Sequence, residues 1–396
     1  MTIRAGAWWW AVAMTSALAG CTAVRGVSRK ALGLDSTAGD ADLEGETFVS
    51  GVHTEGRFDR SASDAPGKSP AGGELVFAWS GSRISARFSG TSAGAIFDDA
   101  GGKNQLAVII DGKLRPAKLS AKSGEHAYLL AAGLEPGEHE VTVHRLTEAN
   151  VGETKFLGFR FGNGGKLLSY AAPQPQARRI EVIGDSISTG YGNEGQDKNC
   201  HFSPETENHY LTYEAIAARN LGAELVTTAW SGKGVFSNRG STVDTVVMPV
   251  LWKRTLPERD DSKWNFSDYQ PNVVVINLGS NDFAPEVQDI TPFDRAYLAF
   301  VREVRSRYPK AAIFCAIGPA LSDQWPEGRM ALTHARSGID GAVVALRSEG
   351  DAKIYFVEFP VQTGENGYGC DWHPNVKTHE MMAAVLEREL RAKMAW

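Results

Sequence analysis

The stretch Ile180-Glu181-Val182-Ile183-Gly184-Asp185-Ser186-Ile187-Ser188-Thr189-Gly190-Tyr191-Gly192 decides the reading of this chain. Ile180, Val182 and Ile183 form a short apolar run that predicts a buried strand. Gly184-Asp185-Ser186 breaks it, and the small polar residues that follow suit the start of a helix or turn. A serine at the carboxyl end of a buried strand stands where open α/β sheets place their ligands. A helix beginning there also turns its N–H groups toward developing negative charge. Serine is equally a common N-cap, so Ser186 gains a chemical role only through what gathers around it.

Outward from this stretch the chain alternates strands and helices. Strands are predicted at 180–183, 224–229, 272–278, 311–317 and 352–359. Between them, Phe293, Ala296, Phe300, Val301 and Val304 share one face of a helix over 293–308. Met382, Val385, Leu386 and Leu390 do the same near the C-terminus. This alternation implies a parallel sheet with helices on both faces, an α/β domain over 179–396. The second strand ends in Trp230-Ser231-Gly232-Lys233-Gly234, and the third in Leu278-Gly279-Ser280-Asn281-Asp282. After the last come a loop and Cys370-Asp371-Trp372-His373-Pro374. All these blocks can meet Ser186 at one sheet edge. The set suits acyl transfer, in which a serine attacks, a histidine takes its proton and several donors hold the oxyanion.

Toward the N-terminus the texture is different. Residues 171–178 are a proline-broken linker. Over 47–170, Ile84/Ala86/Phe88, Leu106/Val108/Ile110, Val141/Val143 and Leu157/Phe159/Phe161 alternate, and Asp111-Gly112 is a hairpin signal. Short strands with regular turns predict a β-sandwich, jelly-roll-like, ahead of the α/β domain. Residues 21–46 read as a tether without periodicity. Residues 1–20, with Arg4 and a small apolar run, read as an export signal too short for a confident membrane span.

With 396 residues, 42% hydrophobic, 22% charged and a net charge of −6, composition is that of an ordinary globular protein with no basic field for nucleic acid. His201, His209, His334 and His379 lack metal-ligand spacing, and no cofactor or metal is expected. Trp230, Trp264 and Trp325 read as core or interface residues.

Gly184-Asp185-Ser186, Gly232, Gly279-Ser280-Asn281-Asp282 and His373 resemble the four blocks of the SGNH (GDSL-type) hydrolases. The Ser231-Gly232-Lys233-Gly234, Trp264-Asn265-Phe266 and Cys370-Asp371-Trp372-His373-Pro374 segments are more specifically similar to carbohydrate esterase family 2. That family joins a β-sandwich to a flavodoxin-like SGNH domain and removes acetyl groups from plant polysaccharides. The resemblance implies Ser186 as nucleophile and His373 as base, with an oxyanion hole from the Ser186 and Gly232 N–H groups and the Asn281 amide. Cys370 stands where most SGNH enzymes carry the acid. Asp371 is therefore the expected acid, with a main-chain carbonyl as the alternative orienting group. Leu18-Ala19-Gly20-Cys21 resembles a bacterial lipobox, which would make the protein an exported lipoprotein held at a membrane through Cys21 alone. A monomer is expected.

In an exported protein disulfides persist, and a Cys200–Cys370 bond would pin the histidine loop beside the serine. Trp372 is expected to flank the cleft as a sugar platform, with Tyr191 on the opposite wall. The expected reaction is deacetylation of an acetylated carbohydrate of the acetylxylan or acetylglucomannan type through acetyl-Ser186. The alternatives are a peptidoglycan O-acetyl esterase, an acyltransferase, and a non-catalytic carbohydrate-binding lipoprotein.

Overall fold

A computed structural model of the chain describes residues 46–60, 73–162, 164–170, 178–240, 245–284, 289–325 and 327–396. The export signal, Cys21, the tether and nearly all of the linker lie outside the described residues. Strand Arg178–Gly184 is the axis of the C-terminal domain. It pairs in parallel with Ala223–Ala229 on one side and Val273–Asn277 on the other. Ala312–Ile317 and Ile354–Glu358 complete a five-stranded sheet in the order second, first, third, fourth, fifth. That is the flavodoxin-like order, whose switch point lies beside the first strand.

Period-two alternation splits the strand residues between two cores. Val182, Val273 and Val275 face helices α2 (Tyr213–Leu221) and α6 (Val376–Met394). Ile183, Val274 and Ile276 face α3 (Met248–Leu251), α4 (Thr291–Arg307) and α5 (Ala331–Ser348). The strands fall within two residues of their expected limits. The helix expected over 293–308 begins two residues earlier, at Thr291, where Pro292 at the first turn loses no internal hydrogen bond.

The N-terminal domain is built from two antiparallel sheets, of five and seven strands among the described residues. Between them lies a core rich in phenylalanine, including Phe88, Phe97, Phe156, Phe159 and Phe161. Asp111 and Gly112 turn the hairpin between Gln105–Ile110 and Lys113–Leu114, with φ of 51° and 75°. Positive φ at both positions is what a type I′ turn requires.

The two domains share a seam of buried polar contacts. Buried Arg57 of the sandwich donates to Glu181 Oε1 at 2.7 Å, within the central strand, and to the Arg254 carbonyl at 2.9 Å. Trp252 Nε1 donates to the same Glu181 oxygen at 2.9 Å. Val76, Ala78 and Ala149 of the sandwich pack with Leu256 of the α/β domain.

Candidate active site

Ser186 opens the one-turn helix α1 (Ser186–Thr189) directly beyond the central strand. The turn is tight enough that a Cβ on Gly184 would lie 2.2 Å from Ser188 Oγ, so the glycine is required by space. Asp185 is the N-cap, and its carboxylate accepts from the Ile187 N–H at 3.0 Å. The Ser186 hydroxyl is thus not spent on capping. Instead it lies 2.9 Å from His373 Nε2. Both residues are largely covered, at 7% and 8% exposed. Burial, reinforced by the nearby positive charge of Arg239, pulls the His373 pKa down to about 4, against opposing contributions from Cys370 and Asp371. At neutral pH the imidazole is neutral and its Nε2 can accept the serine proton.

The partner of the other ring nitrogen corrects the expected triad. His373 Nδ1 lies 3.2 Å from the Cys370 carbonyl oxygen, which also accepts the His373 backbone N–H at 3.0 Å. The Asp371 carboxylate points elsewhere. It accepts from the Tyr191 hydroxyl at 2.9 Å and the Phe202 N–H at 3.0 Å, and lies 2.8 Å from His201 Nδ1. Burial would raise the Asp371 pKa, but the bonds from His201, Tyr191 and Phe202 outweigh it and hold the carboxylate ionised. The cause is backbone: Asp371 and Trp372 both take left-handed conformations, with φ of 52° and 65°. These swing the acid away from the histidine that follows. Such strain in two non-glycine residues concentrates at functional sites.

The Tyr191 ring stacks on the His373 ring with centroids 4.1 Å apart and lies tilted against Phe202 at 4.7 Å. Trp372, by contrast, is 55% exposed, with Tyr368 edge-on at 5.1 Å and Lys198 Nζ 4.0 Å from its ring centroid. Cys200 and Cys370 are disulfide-bonded. Backbone bonds from Asp371 N to the Cys200 carbonyl and from Cys370 N to the Gly192 carbonyl, each 2.9 Å, fasten the same loop.

The remaining blocks converge as their strand-end positions require. Gly232 has φ of 79°, and neither its N–H nor that of Ser186 donates to any group among the described residues. The Asn281 amide is aimed by a bond to the Lys233 carbonyl at 2.9 Å, with a long second contact of 3.3 Å to Asp185 Oδ2. Asp185 also accepts from Ser280 Oγ, and burial raises its pKa to about 6. Asp282 receives the N–H groups of Val235, Phe236 and Ser237 at 3.0, 2.7 and 2.9 Å, which shapes the loop after Gly232.

Residues 182–381 match the GDSL-like Lipase/Acylhydrolase family, and residues 54–171 match Carbohydrate esterase 2 N-terminal. The chain belongs to carbohydrate esterase family 2. Cellulase/esterase CelE of Acetivibrio thermocellus is 43% identical over 87% of this chain, which spans 40% of that protein's length. An acetylxylan esterase / glucomannan deacetylase of Cellvibrio japonicus is 27% identical over 83% of this chain and 88% of its own. The solved family two carbohydrate esterase from Clostridium thermocellum in complex with cellohexaose superposes with a TM-score of 0.78. It is 43% identical over 87% of this chain and 100% of that one.

Three features of this family 2 site escaped the sequence reading. Arg239 bears electrostatically on His373, His201 engages Asp371, and Glu148 of the sandwich accepts from Ser231. None carries a local pattern, because each contact joins distant segments. Trp325, expected in a core or interface, is 78% exposed. Among the described residues no group of three or more His, Cys, Asp or Glu is placed to hold a metal ion.

Proposed function

We propose that this protein is a serine esterase that removes O-acetyl groups from polysaccharide or oligosaccharide. The observation that carries the reading is the 2.9 Å hydrogen bond between Ser186 Oγ and His373 Nε2 at the carboxyl edge of the sheet. The Ser186 hydroxyl attacks the acetyl carbonyl as His373 Nε2 takes its proton. The imidazolium that forms keeps its Nδ1–H on the Cys370 carbonyl. The oxyanion is held by the N–H groups of Ser186 and Gly232 and by the Asn281 amide. Collapse expels the sugar hydroxyl, protonated by His373, and leaves acetyl-Ser186. Water activated by the same histidine then releases acetate.

The substrate class rests on the family. One relative is an acetylxylan esterase / glucomannan deacetylase, another a cellulase/esterase, and one family structure is a complex with cellohexaose. In this chain the exposed Trp372 indole supports a sugar platform, since an aromatic face suits the C–H face of a pyranose. Lipid attachment at Cys21 is a companion proposal resting on Leu18-Ala19-Gly20-Cys21. Mass spectrometry of the mature N-terminus tests it.

The main test measures acetate release from acetylated xylan, acetylated glucomannan, O-acetylated peptidoglycan and an aryl acetate. The account expects xylan or glucomannan to be preferred over peptidoglycan. It also expects Trp372→Ala to raise KM on polysaccharide by ~10-fold or more while leaving KM on the aryl acetate nearly unchanged. Preference for peptidoglycan would overturn the substrate class, and equal losses on both ester types would overturn the platform.

A further inference from the structure

The sandwich reaches the catalytic edge through the side chain of Glu148. Glu148 lies at the end of a sandwich loop and is fully buried. Its two oxygens take both polar hydrogens of Ser231: Oε2 accepts from the backbone N–H at 2.8 Å and Oε1 from the hydroxyl at 2.6 Å. Ser231 directly precedes Gly232, one of the oxyanion donors. On the far side of that glycine, the Arg239 N–H donates to the Gly232 carbonyl at 2.8 Å. The Gly232 peptide is therefore clamped from both ends, and the upstream clamp belongs to the other domain.

Glu148 is itself held firmly. Its N–H donates to Glu207 Oε2 at 2.9 Å, and its carbonyl accepts from Arg145 Nη2 at 3.0 Å. Arg145, also buried, donates further to the Thr147 and Gly152 carbonyls at 2.9 and 2.6 Å and to Thr154 Oγ1 at 3.1 Å. Such a network fixes the Glu148 backbone from which the carboxylate reaches Ser231, and a fixed anchor is what a group orienting an oxyanion donor needs.

We infer that Glu148 is a positioning residue for catalysis, holding the Gly232 N–H on the oxyanion through Ser231. The sandwich is then a working part of the esterase and not only an appended module. Burial, partly offset by the two bonds from Ser231, raises the Glu148 pKa to about 7, and the neighbouring Glu207 is raised as well. The inference rests on the proposed esterase reading.

The test is steady-state kinetics on an aryl acetate with Glu148→Ala, Glu148→Gln, Ser231→Ala and the Glu148→Ala/Ser231→Ala double variant, scaled to folded protein. Glu148→Ala is expected to lower kcat by ~10–100-fold with KM within ~3-fold, because only the transition state loses an oriented donor. Glu148→Gln should recover to within ~5-fold of the parent, since its amide can accept from the Ser231 N–H and donate to the Ser231 hydroxyl oxygen. The double variant should be no worse than Glu148→Ala, as both changes cut one path. A Glu148→Ala protein with unchanged kcat, a rise in KM alone, or Gln as damaging as Ala would overturn the inference. Should Glu148→Ala fail to fold, a loss of kcat in Ser231→Ala at constant KM supports the inference, and an unchanged kcat overturns it. An inactive parent protein would instead sink the esterase reading, which keeps the two failures distinct.

Discussion

In the proposed mechanism His373 serves as the base because burial keeps it neutral and the Cys370 carbonyl keeps it aimed. The Cys370 oxygen fixes the tautomer and the ring without placing a full negative charge beside it. A carboxylate in that position would raise the imidazole pKa. Here burial and Arg239 dominate, and the pKa stands at about 4. Protonation at low pH removes the acceptor for the serine proton, so activity is lost as pH falls through that value. The kcat/KM profile on an aryl acetate should change by no more than ~5-fold from neutral pH down to about 5, the scale expected for neutralising Glu148, and show its main acid limb near 4, below the ordinary histidine value of about 6.5. An acid limb near 6.5 would contradict this electrostatic picture. The meeting of Ser186 and His373 was legible from a strand-end Gly-Asp-Ser and a C-terminal Asp-Trp-His. The direction of Asp371 was not, because it depends on positive φ at two successive non-glycine residues, which nothing in their identity announces.

The histidine loop is a single element whose shape is set by its fastenings. The 3₁₀ turn Cys370–Trp372 would be costly to hold alone, with two left-handed residues inside or beside it. The disulfide to Cys200, the Asp371 N–H on the Cys200 carbonyl and the Asp371 carboxylate on Tyr191, His201 and Phe202 hold it together. The bond closes a loop of 170 residues, for which the chain-entropy model gives ~5 kcal/mol. Replacing both cysteines by alanine should lower the urea midpoint clearly and also reduce kcat, since the turn carries the carbonyl that aims His373. Coincident urea melts for the two proteins, with equal kcat, would show the fastening to be idle. At this scale the sequence was most informative. Short apolar runs placed every strand of the parallel sheet, and Asp111-Gly112 placed a hairpin, because both signals are local.

At the scale of the molecule, the two domains are joined by buried polar contacts that no periodicity encodes. Arg57 and Glu181 are separated by 124 residues, and Glu148 and Ser231 by 83. Each residue alone reads as an ordinary charged or polar side chain. Only the fold shows that Arg57 is taken out of water at the seam and depends on Glu181 and backbone carbonyls for its solvation. Removing one partner of such a pair leaves an unpaired buried charge, so Arg57→Ala should destabilise the protein by ~3–5 kcal/mol in urea unfolding. A loss below ~1 kcal/mol, the scale of a surface pair, would mean that the seam is wet.

The proposed site is a Ser186–His373 dyad aimed by a main-chain carbonyl, with Asp371 outside the proton path. The decisive measurement is kcat on an aryl acetate for Ser186→Ala, His373→Ala and Asp371→Ala, each scaled to folded protein. Losses of ~10⁴-fold or more are expected for the first two and ~10-fold or less for Asp371→Ala. Substantial activity in Ser186→Ala, or an Asp371→Ala loss as deep as that of His373→Ala, would contradict this assignment.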